Sequence, residues 1–230
     1  MNAICEQISV ASRILYAQGV VDAFGHVSVR AMDAKGFWMS RSMAPALVTA
    51  HDVVMHGEDG DPHDQAVRPF LERFIHAEIY RARPDVMAIV HSHAPSVVPF
   101  TVVANVALRP LCHICGFLEN GPRPYDVATI AGDESDLLIS SRAKGEDLAR
   151  HLAAANVILM RGHGFTVVGR GLEEAVFRAV WTERGAKLQQ SAMALGAPRF
   201  LSEGEARACD ATTSGQIGRA WNLWVSEIGG

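Results

Sequence analysis

The chain has little that would tie it to a membrane, to nucleic acid or to an oxidising compartment. Its longest apolar stretch, SVVPFTVVANVAL, is interrupted by proline, threonine and asparagine and falls short of the roughly 20 residues a spanning helix needs. Lys and Arg number 21 against 25 Asp and Glu, a formal charge of −4, so there is no basic excess of the kind that grips a phosphate backbone. Four cysteines in 230 residues do not make a disulfide framework. Cys112 and Cys115 share a CxxC spacing, but no second pair completes a zinc knuckle and the motif does not follow a strand near the chain start, so both read as packing cysteines. The opening MNAICEQISVASRILYAQG shows neither a basic n-region nor a cleavage site, and the expectation is a cytoplasmic protein with no membrane or nucleic-acid partner.

What is present is the composition of a compact enzyme or binding domain, 49% hydrophobic and 20% charged. That length can bury one sizeable core. No repeat, linker or low-complexity tract divides the chain, which predicts one domain over residues 1–230 with a helical tail from about 198. Apolar spacing predicts helices over 2–18, stopped by Gly19, over 67–83, stopped by Pro84, and over 172–195. HVSVR (26–30) and GFWMS (36–40) read as a hairpin joined by AMDAK. VMAIV (86–90), VILM and FTVVG read as strands, the first covered on both faces, and APSVVPFTVVAN reads as a helix opening on proline. Helices alternating with strands make an α/β fold the simplest account.

The chemistry concentrates in two stretches. AIVHSHAPSV (88–97) puts His91 and His93 two residues apart at the end of an apolar run. On a strand such residues share a face, so both imidazoles can be directed at one point. LMRGHGFTVVG sets His163 between two glycines at the end of another apolar run, where glycine permits a sharp turn and a close approach. Three histidines at strand ends match a catalytic divalent metal with one coordination position open, and imidazole suits zinc, manganese, iron or cobalt. Glu72 lies one turn before His76 on the preceding predicted helix. A carboxylate there serves either as a fourth ligand or as a general acid/base, the alternative being a solvated glutamate paired with Arg68 or Arg73. Nothing fixes the direction of Glu78.

GHVSVR, ERFIHAEIYRARPDVMAIVHSHAPSV and LMRGHGFTVVG together resemble the class II aldolase/adducin family, over roughly residues 5–195. The resemblance implies a three-layer α/β/α sandwich around a mostly antiparallel sheet. It also implies one divalent ion per subunit, Mn or Zn, and a homotetramer with sites near subunit interfaces. By motif position it makes His91, His93 and His163 the metal ligands and Glu72 the acid/base or a further ligand. Sugar-phosphate members carry a TPSG-like loop and two serines ahead of the glutamate; here SRSMAP (40–45) and RPFLE (68–72) occupy those places, and His26 replaces the asparagine of the GN turn. The phosphate cradle is dismantled. Arg41, Ser42 and Arg68 stand beside Phe70 and Leu71 instead, a set expected to bind a carboxylate against a flat ring.

That pattern resembles the family's decarboxylase branch, which acts on ortho-hydroxy aromatic or pyridine (di)carboxylates, those of vitamin B6 breakdown among them. The reaction it implies is loss of carbon dioxide through a metal-stabilised enolate, with Glu72, His26 or His113 protonating the ring carbon. Two other readings stay open. One is an aldolase cleaving a non-phosphorylated hydroxy-acid or sugar-acid; the other is a non-catalytic, adducin-like interaction module, which the survival of all three histidines and Glu72 disfavours.

Overall fold

The computed structural model of the protein describes residues 3–32 and 35–229. Seven strands build one sheet: β1 (His26–Arg30), β2 (Phe37–Ser40), β3 (Val53–His56), β4 (Ala88–Ser92), β5 (Pro124–Tyr125), β6 (Val157–Met160) and β7 (Gly164–Gly169). Their spatial order is β3-β2-β1-β4-β7-β6-β5, and every neighbouring pair is antiparallel except β5 with β6.

Strand period two divides the apolar side chains between two cores. Val27, Val29, Ala88, Val90 and Val167 face α1 (Ala3–Ala17) and α6 (Leu172–Leu195). Met39, Ile89, Ile158 and Val168 face the other way. They meet α2 (Arg73–Ala82) and α5 (Arg142–Leu152), which bring Ile75, Ile79, Leu148 and Leu152 down onto that face. The result is helices, sheet and helices in three layers, α/β in class and mostly antiparallel, as the sequence implies. Two single-turn helices, α3 (Pro99–Val102) and α4 (Ala128–Ala131), lie in the connections. The C-terminal stretch is helical. α7 (Glu203–Ser214) starts on a capping box between Ser202 and Glu205, and α8 (Ile217–Glu227) sets Trp224 beside Phe177. Among the described residues no helix is long and apolar enough to cross a membrane.

Three boundaries differ from the sequence reading, each for a local reason. The helix expected over 67–83 begins only at Arg73, because Pro69 disfavours a helical Arg68 and the chain stays irregular as far as Glu72, the N-cap. Glu72 therefore precedes the helix instead of lying on it. The strand expected over 86–90 runs over 88–92 and so takes in His91. The long helix expected after His93 is reduced to α3, since Pro95 and Pro99 lack the amide hydrogens that would propagate it. The β1–β2 hairpin pairs Ser28 with Met39, while Asp33 and Ala34 of its linker lie outside the described residues.

The central strands carry one more feature. His26 of β1, His91 of β4 and Thr166 of β7 are direct neighbours in register. They form a polar row on the α2/α5 face, among the apolar side chains of that core.

Candidate metal centre

His91 is fully buried on β4, held between β1 and β7. His93 follows just past the strand end on the same side, its side chain 31% exposed. His163 arrives from the turn between β6 and β7. There Gly162 adopts φ +63°, which favours glycine, and Gly164 lies so close to the end of β4 that a Cβ would collide with the Ser92 carbonyl and come 2.9 Å from His93 Cα. The two glycines flanking His163 thus do different jobs: one turns the chain, the other lets two strand ends touch.

The three Nε2 atoms converge, at 2.9 Å between His91 and His93, 2.8 Å between His93 and His163, and 3.3 Å between His91 and His163. Glu72 Oε2 lies 3.4, 3.8 and 3.3 Å from Nε2 of His91, His93 and His163. The four ligand atoms all fall within 4.8 Å of one another, the one such group among the described residues.

Partners on the far side of the His91 and His163 rings fix which nitrogen is bare. His163 Nδ1 donates to the Leu137 carbonyl at 2.9 Å. His91 Nδ1 donates to Thr166 Oγ1 at 3.0 Å, and that hydroxyl passes its own hydrogen to Met160 Sδ. Both Nε2 lone pairs therefore point inward. Glu72 Oε1 accepts the Ile139 amide at 3.0 Å, which turns Oε2 to the histidines. Leu137 sits at φ +61°, an unfavourable place for a branched side chain, and so offers its carbonyl to His163.

The charges follow from burial and these partners. Burial would raise the Glu72 carboxyl, but the facing imidazoles, His91 first, outweigh it and hold Glu72 well below the usual carboxylate range. Burial lowers His91 to about 4. Bare nitrogen lone pairs and a carboxylate oxygen aimed at one point repel each other unless a cation sits between them. The nitrogen spacings are close to the edge of about 3.3 Å expected for ligands set about 2.0 Å from one ion. Three imidazoles and a carboxylate suit a borderline divalent metal such as zinc, manganese, iron or cobalt.

A pocket of about 340 Å³ opens beside this cluster. Phe24, Met43, Phe70, Leu71 and Leu138 form apolar walls, and Ser42, His26, Glu72 and His93 supply the polar groups. His26 packs on Phe70, ring centres 4.6 Å apart, and its Nδ1 lies 2.7 Å from Nε2 of His76. His76 in turn meets Ser28 Oγ at 2.6 Å, and Ser28 meets the Tyr80 hydroxyl at 2.8 Å.

The other sequence candidates stand further out. Arg41 holds Asp52 at 2.8 Å on the surface, half exposed, and Arg68 is exposed. Neither lines the pocket, although the Ser42 amide donates to the Arg68 carbonyl and ties their two loops together. His113, Cys112 and Cys115 lie around the 3-10 helix His113–Leu118, with Cys115 buried against α6; the two thiols are 3.5 Å apart. Sequence reasoning missed Thr166, Leu137, Ile139 and the His76–Ser28–Tyr80 chain. Thr166 carried a faint signal as the third residue of a strand that begins at Gly164; the Leu137 and Ile139 contributions come from the main chain and left none.

An α/β sandwich carrying three histidines and a glutamate clustered at the end of its central strands is the architecture of a class II aldolase. A family model described as Class II Aldolase and Adducin N-terminal domain matches residues 6–190, and the chain belongs to that family. It falls in the decarboxylase branch. The chain is 39% identical over 240 residues to Decarboxylase tropJ of Talaromyces stipitatus, covering 94% of this chain and 90% of the relative. It is 29% identical to a 3,4-dihydroxyphthalate decarboxylase of Terrabacter sp., covering 96% and 95%. Among solved structures, L-fuculose 1-phosphate aldolase from Glaciozyma antarctica superposes with a TM-score of 0.78 at 23% identity, covering 97% of this chain and 87% of that one, which is a likeness of fold.

Proposed function

We propose that this chain is a divalent-metal-dependent carboxy-lyase acting on an ortho-hydroxy aromatic or pyridine carboxylate. Glu72, His91, His93 and His163 would hold the ion, Mn or Zn. When bound, such an ion supplies Lewis-acid polarisation of an oxygen next to the bond that breaks. The remaining work falls to the chain. Phe24, Met43, Phe70 and Leu71 offer apolar faces to a flat ring and keep water from it. Ser42 faces the same space and offers a hydrogen bond to a second carboxylate, while Arg41, paired with Asp52, and Arg68 lie on the adjoining loops outside the lining. In the reaction the bond from ring to carboxylate breaks, carbon dioxide leaves, and the same ring carbon takes up one proton. Glu72 and His26 are the acid/base groups on the pocket walls that can deliver it.

The observation that carries this reading is the convergence of four ligand atoms at the floor of an apolar-walled pocket, in a chain alike over nearly its whole length to enzymes named as decarboxylases. We assign the protein to the cytoplasm as one domain over residues 1–230, and as a homotetramer with sites near subunit interfaces. Support for the last comes from Phe24 and Leu71, exposed at the pocket rim by 65% and 62%.

The test is carbon dioxide release by the metal-loaded protein from hydroxylated benzene and pyridine dicarboxylates. Metal-dependent release that stops on chelation is expected. Pyruvate or aldehyde release from hydroxy-acids or sugar-acids, without carbon dioxide from any aromatic acid, would make the chain an aldolase and overturn the proposal.

A further inference from the structure

The buried polar chain behind His26 is larger than ligand support needs. His76 and Ser28 are fully buried and Tyr80 is 5% exposed, all on the face between β1 and α2, and none of them touches the pocket. A buried polar row of this kind needs a reason, because an apolar one would pack there as well.

We infer that Tyr80, acting through Ser28 and His76, fixes the His26 ring as the tautomer with its hydrogen on Nε2, so that His26 presents an N–H donor to an oxygen of the substrate. The inference rests on the carboxy-lyase reading for its substrate, but on hydrogen-bond accounting for its direction. Each link in the chain holds one hydrogen, so the whole chain points one way or the other. The Tyr80 hydroxyl has Ser28 Oγ as its one hydrogen-bond partner among the described residues. The phenol is therefore satisfied as a donor only if it gives its hydrogen to Ser28. Ser28 then donates to His76 Nδ1, and His76 donates from Nε2 to His26 Nδ1. His26 is left with a bare, accepting Nδ1 and its hydrogen on Nε2, a nitrogen with no protein partner among the described residues.

The opposite direction runs from His26 Nδ1–H to His76, from His76 to Ser28, and from Ser28 to Tyr80. It strands the phenol hydrogen in a buried site without an acceptor, a costly arrangement. Arg30 does not relieve it: the guanidinium lies over the Tyr80 ring at 4.7 Å, and its hydrogens go to the main-chain carbonyls of Tyr80, Arg83 and Val86. Burial also pushes the phenol up, so it stays a donor. The network sets the place of the hydrogen on the ring rather than the charge of the ring. Tyr80, Ser28 and His76 are positioning residues, remote from the reacting atoms.

The experiment is a two-bond 15N–1H correlation spectrum of histidine-labelled protein, read metal-free and zinc-loaded, with the His26 signals identified by their loss in His26→Asn. His26 and His76 are both expected to be protonated at Nε2 and bare at Nδ1. In Ser28→Ala the direction is no longer imposed, and both rings should shift to a mixture of tautomers or to Nδ1–H. Zinc content should be unchanged, and kcat should fall about tenfold with a smaller change in KM, the lower end of what losing an orienting partner costs. Should Ser28→Ala not fold because it leaves the buried phenol without a partner, the double variant Ser28→Ala with Tyr80→Phe cuts the same chain and is read in the same way. A His26 ring protonated at Nδ1 in the unmodified protein, or a tautomer untouched by either substitution, would overturn the inference. The spectra need no substrate. A protein that shows the Nε2–H pattern but releases no carbon dioxide refutes the reaction while supporting the network.

Discussion

His91 and His93 divide the work of one motif. The first is sealed within the sheet with its Nδ1 on Thr166, whereas the second stands at the strand end, facing the pocket and partly exposed. His93→Ala should therefore leave β4 intact while removing one of three imidazoles. We expect purified His93→Ala protein to carry little metal by elemental analysis and to have lost turnover, with a circular dichroism spectrum like that of the parent. Stoichiometric metal with near-normal turnover would show that the site lies elsewhere. The residues of this cluster were legible in the sequence because side chains do the ligating and HxH, GHG and a preceding glutamate are patterns of side chains. The Leu137 carbonyl and the Ile139 amide were not, since any residue can supply the first and any but proline the second. Thr166, His76, Ser28 and Tyr80 depend on strand register and on which face of α2 meets β1, and a single sequence does not state these. Arg41 shows the converse: its charge made it a candidate, and in the fold that charge is taken up by Asp52.

The meeting of β4 and β7 decides whether the ligands converge. Gly164 has ordinary backbone angles and is there for space, with the Ser92 carbonyl and His93 Cα lying where its Cβ would go. Gly164→Ala should push the end of β7 away from β4, and with it His163 from His93. We expect zinc affinity, by competition titration, to drop by about tenfold or more, as when a ligand loses its orienting support. Stability by denaturant midpoint should fall by about 1–3 kcal/mol, the usual range for overpacking. Unchanged affinity would mean that the two strand ends adjust independently. At this scale the sequence was a good guide to the middles of elements and a poor one to their ends. β4 follows its continuous apolar run and α6 spans the expected 172–195, but α2 lost its first six residues to Pro69 and the segment after His93 lost most of its helix to Pro95 and Pro99.

Over the whole molecule, the cluster joins segments far apart in the chain: Glu72 ahead of α2, the β4 end, and the β6–β7 turn. An ion bound there clamps both central strands and the α2 layer together, and the unfolded chain offers it no such site. At a free concentration about 100 times its dissociation constant, an ion that binds only the native state adds about 2.7 kcal/mol. For a chain of this size that corresponds to roughly 5–10 °C in melting temperature. Calorimetry with zinc or manganese, and again after chelation, should show a reversible shift of this order. A melting temperature indifferent to both would argue that the four side chains hold no ion.

The ligands and the pocket walls have different anchors. His91 belongs to a strand in the middle of the sheet and is bracketed by neighbours, whereas Phe24, Ser42, Met43, Phe70 and Leu71 all sit on connecting segments outside it. The frame that carries the reaction can thus be inherited whole while a few loop positions are rewritten, so chains built this way can change diet without changing trade.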